Sequence, residues 1–188
     1  MNEILQMLNG KKMDPETIHA LLENYSALVR RVDEHVRNLE KQYKGNISCK
    51  KGCDDCCRFL TLFPVEAFAI AAAFSQLPSE DVEAVRKACE DEDRCPLLLD
   101  HQCRLYPARP VICRTHGFPI YMEEEGNARV DFCPENFQGI KDFPREALLD
   151  LNQLNTVLTA VNSHFLQSVE GELPERIPIS QALFLFLD

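Results

Sequence analysis

Nine cysteines in 188 residues carry most of the chemistry this sequence offers. Eight of them form two groups. The first is Cys49, Cys53, Cys56 and Cys57, a tight run in which Gly52 supplies the backbone freedom to turn. The second is Cys95, Cys103 and Cys113, with Cys133 trailing. Thiols two or three residues apart can converge on one ion or cluster, and helices folding back between the groups can bring both together. Neighbouring side chains diverge, so Cys56 and Cys57 rarely serve one tight shell. Two four-sulfur sites with that pair divided between them satisfy this limit. So does one site with the remaining cysteines buried as small hydrophobes. Cys89 lies in a helical pattern outside both groups and reads as a packing residue.

Ionised sulfur needs compensation, because a four-thiolate zinc or an oxidised four-iron cluster carries a formal charge of about −2 counting its ligands. Lys50, Lys51, Arg58, Arg104, Arg109 and Arg114 stand beside the cysteines in an otherwise acidic chain with a formal charge of −10. That overall charge disfavours nucleic acid and anionic membranes as partners; a protein partner stays open. His116 follows Cys113 closely enough to replace a sulfur at zinc, but histidines are scattered through the chain. The acidic runs at 90–93 and 123–125 lack calcium-loop spacing and read as solvated faces. Arg109, flanked by Ala108 and Pro110, can bind an anion or hydrogen-bond loop carbonyls. No export signal or long apolar run is visible, so the expected compartment is the cytoplasm, where thiols serve metal or redox chemistry rather than disulfides.

The elements that must position these thiols are mostly helical. Residues 2–9 suggest a short helix stopped by Gly10, and Asp14-Pro15 opens a long one whose apolar stripe runs from Ile18 to Tyr43. Shorter helices are expected from Pro64 and from Ser79, and a last long one over about 145–169. Segments 118–122 and 128–132 suggest a small hairpin, and the tail 179–187 is apolar enough to dock. The expected fold is a single mainly α domain. Long amphipathic helices (1–44 and 145–170) pack around an irregular cysteine-rich metal-binding segment, 45–135, that includes the hairpin.

The run Cys49-x3-Cys53-x2-Cys56-Cys57-Arg58, then Cys95-Pro96-Leu97, then Cys103-x2-Tyr106-x2-Arg109-Pro110-x2-Cys113-Arg114, resembles the YkgJ-type cysteine-cluster family, regarded as zinc- or iron-chelating domains. The resemblance covers about residues 45–135. It implicates Cys49, Cys53, Cys56, Cys57, Cys95, Cys103 and Cys113 as metal ligands, with Cys133 matching the trailing cysteine. The family's nickname implies two residues between the first cysteines, whereas three separate Cys49 from Cys53. The expectation is therefore a protein holding an iron-sulfur cluster or zinc in a structural, redox or sensing role. Members linked to flagellin lysine methylation open an enzymatic alternative. The spacing Cys49-x3-Cys53-x2-Cys56 also occurs in radical S-adenosylmethionine enzymes, but too few strands are expected here for their barrel.

Overall fold

A computed structural model describes residues 14–49, 52–91, 93–169 and 171–187. The expected helix at 2–9, with Gly10 and the charges of Lys50 and Lys51, lies outside the described residues. Among the described residues 47% are helical and 13% are strand, in seven α-helices and three small sheets. The fold is thus mixed α/β rather than mainly α, and long helices account for only part of it.

Asp14 caps α1 (Pro15–Leu21), its carboxylate accepting the Glu16 and Thr17 amides at 3.0 Å. The expected single helix is divided at Leu22, whose N–H reaches both Ile18 and His19 carbonyls, and continues as α2 (Glu23–Gln42). Its stripe holds: Leu22, Tyr25, Leu28, Val32, Val36 and Leu39 are buried. The next helix, α3 (Pro64–Phe74), is buried almost all round, with Val65, Ala67, Phe68, Ile70, Ala71 and Phe74 at 0–1% exposure. It is followed by α4 (Ser79–Ala88), α5 (Val111–Thr115), α6 (Leu151–Ser168) and α7 (Ile179–Ala182). Phe68 packs edge-on against Phe165 of α6 and Phe186 of the tail, at 4.9 and 5.5 Å between centroids. Docking of the tail is borne out, with Ile179, Leu183 and Leu185 buried.

The strands tie distant segments together. In the first sheet β1 (Thr61–Leu62) pairs antiparallel with β7 (Ile177–Pro178), which places the tail beside α3. In the second, β2 (Leu98–Leu99) pairs with β3 (Gln102–Cys103) around Asp100 and His101, both at positive φ. The third has the order β5-β4-β6, from β4 (Ile120–Glu124), β5 (Asn127–Asp131) and β6 (Leu149–Asp150). The expected hairpin is β4–β5. Glu125 and Gly126 turn it with φ of 51° and 80°, the mirror-image turn that matches strand twist. The last helix starts later than its apolar spacing suggested. Leu149 and Asp150 pair parallel with β4, and Asp150 then caps α6 by accepting the Gln153 amide at 2.9 Å.

Candidate metal centre

The first cysteine run leaves α2 and winds towards β1 as a loop, with Gly52 at φ 96° and a turn closed by the Cys57 amide on the Asp54 carbonyl. A bridge between Arg58 and Arg94, and the Cys95 N–H on the Cys57 carbonyl at 3.4 Å, lay the second group beside it. Cys103 stands opposite Leu98 in the β2–β3 ladder. Cys113 sits on α5, whose first amide, Val111 N–H, donates to the Glu66 carboxylate at 3.1 Å. Glu66 is itself buried between helices, takes the Phe63 amide at the start of α3, and is pushed up by that burial. A cluster of Tyr43, Phe132, Phe137 and Phe143, with centroids 5.2 to 5.7 Å apart, seats the segment after β5 against the end of α2 and so places Cys133 near Cys49.

All nine cysteines are free thiols, and eight of them lie near enough to influence one another's ionisation. Burial raises Cys49, the Asn136 amide opposes it, and Cys53, Cys133 and Cys56 raise it again. Burial pushes Cys95 up to about 12, the Leu97 amide opposes this, and Cys103 and Cys57 add to the rise. Cys113 is likewise pushed up to about 12, by burial first and then by Cys95, Cys103 and Cys57. Cys49 thus has Cys53, Cys56 and Cys133 as neighbours, and Cys57, Cys95, Cys103 and Cys113 lie close to one another, but the two groups are not separate: Cys53 and Cys56 also act on Cys57. They meet at the adjacent pair, for after burial the strongest influence raising Cys56 is Cys57. Cys89 stands apart: burial raises it and only Arg86 acts on it, so packing is its role. His116 is exposed at the end of α5 and shifts none of these thiols.

The arginines do less for the sulfurs than their positions in the sequence suggested. Arg104 is engaged by Asp81 and Asp100, at 3.5 and 3.1 Å. Arg114 is buried and fully engaged at three nitrogens: it grips both oxygens of Asp33 on α2 at 2.8 Å and donates to the Pro107 and Arg109 carbonyls. It staples the turn between Cys103 and Cys113 to α2. Arg109 lies 3.6 Å over the Tyr106 ring, donates to the Cys113 carbonyl at 3.3 Å, and is the cation that lowers Cys103 and Cys113. Asp54, which sequence reasoning did not single out, receives Arg94 at 3.1 Å and His101 at 2.9 Å. It thereby joins the first cysteine loop to the β2–β3 turn. Asn136 was also missed. It is 1% exposed, and its side chain is hydrogen-bonded to Ser48, Cys49 and Gly117.

The donor chemistry fits a thiophilic ion or cluster: eight neighbouring sulfurs, three of them exposed and five partly withdrawn from water. Yet among the described residues no group of three or more His, Cys, Asp or Glu side chains is arranged to hold a metal ion. The thiols are neighbours without forming a closed shell. A family model with the description "CxxCxxCC: Putative zinc- or iron-chelating domain" matches residues 48–134. The match covers a little under half of the chain. The matched segment begins after α2 has ended and stops just past Cys133, so it spans all eight grouped cysteines. No curated protein and no solved structure matches the chain. Among the described residues no helix is long and apolar enough to cross a membrane.

Proposed function

We propose that this chain is a metal-binding protein whose CxxCxxCC domain holds two four-thiolate sites, one of Cys49, Cys53, Cys56 and Cys133 and one of Cys57, Cys95, Cys103 and Cys113. What supports this is how the fold gathers the thiols: Cys49 and Cys133 meet beside Gly117, the Cys95 N–H bonds the Cys57 carbonyl, Cys103 lies in the adjoining β2–β3 ladder, and Cys56 and Cys57 stand between the two groups. All-sulfur donors support zinc or an iron-sulfur cluster. A cation also removes the obstacle that burial creates, since each buried thiol resists ionisation until positive charge arrives. The open arrangement means that binding must turn side chains inward, which couples metal uptake to ordering of the first cysteine loop. In this reading the role is structural, redox or sensing.

Elemental analysis and visible absorption of anaerobically prepared protein test the proposal. Iron with acid-labile sulfide and a visible band support a cluster, and colourless protein with stoichiometric zinc supports zinc. Protein that remains metal-free after exposure to both would refute it. A radical S-adenosylmethionine enzyme is not supported: among the described residues the only parallel pairing is the two-residue β4–β6 ladder, far from a parallel barrel.

A further inference from the structure

Three separate stretches of chain meet at the side chain of Asn136. Its Oδ1 accepts the backbone N–H of Ser48 at 2.9 Å and of Cys49 at 3.1 Å. Its Nδ2 donates to the Gly117 carbonyl at 2.9 Å and to Cys49 Sγ at 3.5 Å. Both hydrogens of the amide are thus used. Turning the amide over would set Oδ1 against the Gly117 oxygen and Nδ2 against two N–H donors, so the network itself fixes which atom is which. The Asn136 backbone N–H also closes a turn on the Cys133 carbonyl at 2.9 Å, which sets residue 136 beside the backbone of a second cysteine. Gly117 completes the arrangement. A Cβ there would come 3.1 Å from Asn136 Nδ2, 3.4 Å from Cys133 Cβ and 3.7 Å from Cys49 Sγ, and its φ of 86° also favours glycine.

A buried amide that orients one cysteine's backbone, donates to that cysteine's sulfur and is anchored beside another matches what the outer partners of metal ligands do. We propose that Asn136, which lies beyond the matched family segment, is the positioning residue of the Cys49, Cys53, Cys56 and Cys133 site, and that its Nδ2–H donates to the Cys49 sulfur when that sulfur binds metal. The inference rests on the proposed two-site reading. Asn136→Asp is the sharper variant, because it keeps an oxygen acceptor for the Ser48 and Cys49 amides and replaces the N–H donor with a carboxylate oxygen facing sulfur. Asn136→Ala removes both functions.

Titration of the reduced, metal-free protein with Co²⁺, followed by the thiolate-to-cobalt charge-transfer band, reads the two sites. In Asn136→Asp, affinity at the first site is expected to fall by about 10- to 100-fold, with the charge-transfer band of that site displaced and the second site unchanged. Unaltered affinity and band in a folded variant would overturn the inference, whereas a wild type that binds no Co²⁺ would overturn the two-site reading itself. The wild type offers a second test that does not depend on any variant folding. With the NMR-active cadmium isotope bound, through-bond coupling is expected from one cadmium to one Asn136 side-chain amide proton. Bound cadmium at Cys49 without that coupling would also overturn the assignment.

Discussion

The two proposed thiol quartets have the same donors and opposite surroundings. Cys49, Cys53 and Cys56 are exposed on a loop held mainly by Asn136 and Asp54. Cys57, Cys95, Cys103 and Cys113 are partly or largely withdrawn from water, on segments stapled to α2 and α3 by Arg114 and Glu66. Donor identity sets which metal a site can take, but the surrounding packing sets how that metal exchanges and how much stability it contributes. In the proposed reading the inner quartet packs against the core and the outer one faces solvent.

The largest effect is expected at the inner quartet. Cys113→Ser should lose that site's metal and lower unfolding free energy by on the order of 4 kcal/mol, as calorimetry or denaturant melts would show. An equal loss in Cys53→Ser would erase the distinction between the sites, because the outer loop should cost only about 1 kcal/mol when its metal is gone. Chelator challenge sharpens the same contrast: the outer site should release metal at least about tenfold faster, as biphasic release kinetics.

Glu66 probes the support behind the inner site. Burial raises it above its ordinary 4.5, so the folded chain keeps this proton over a range where the unfolded chain has lost it. The stability due to the neutral carboxyl is complete below about pH 4.5 and declines as pH rises through the folded value. Glu66→Gln should remove that slope from melting curves recorded above pH 4.5, while leaving the outer site's chelator kinetics unchanged. The smallest effect belongs to Cys89→Ser, expected to keep both metals and change stability by less than about 1 kcal/mol, since Cys89 has no thiol neighbour among those acting on it.

The candidate thiols were legible because chemistry and spacing are local properties. The Cys56–Cys57 adjacency left open a four-and-four division or a single site with the rest buried, and Cys89, expected in a helix, caps the end of α4 and packs against the core. Long-range partners were not legible. Asn136 is one polar residue in a loop, and only folding shows that two amides, a carbonyl and a sulfur surround it. The arginines misled for the same reason: being next to a cysteine in sequence does not aim Arg114 at sulfur when Asp33, far away in the chain, offers two oxygens. The fold class failed where strands were too short to show alternation. β1 and β7 are two residues each and separated by most of the chain, and Leu149-Asp150 fits an apolar helical spacing until β4 pairs with it. The Asp150 cap was the available signal for the true start of α6.

Metal content per chain in anaerobically prepared wild type, Cys53→Ser and Cys113→Ser tests the central claim most directly. Two occupied sites in the wild type, with each variant keeping the site the other has lost, is the predicted result. Variants that both lose all metal, or that both keep the full complement, would contradict the division of these thiols into two independent quartets.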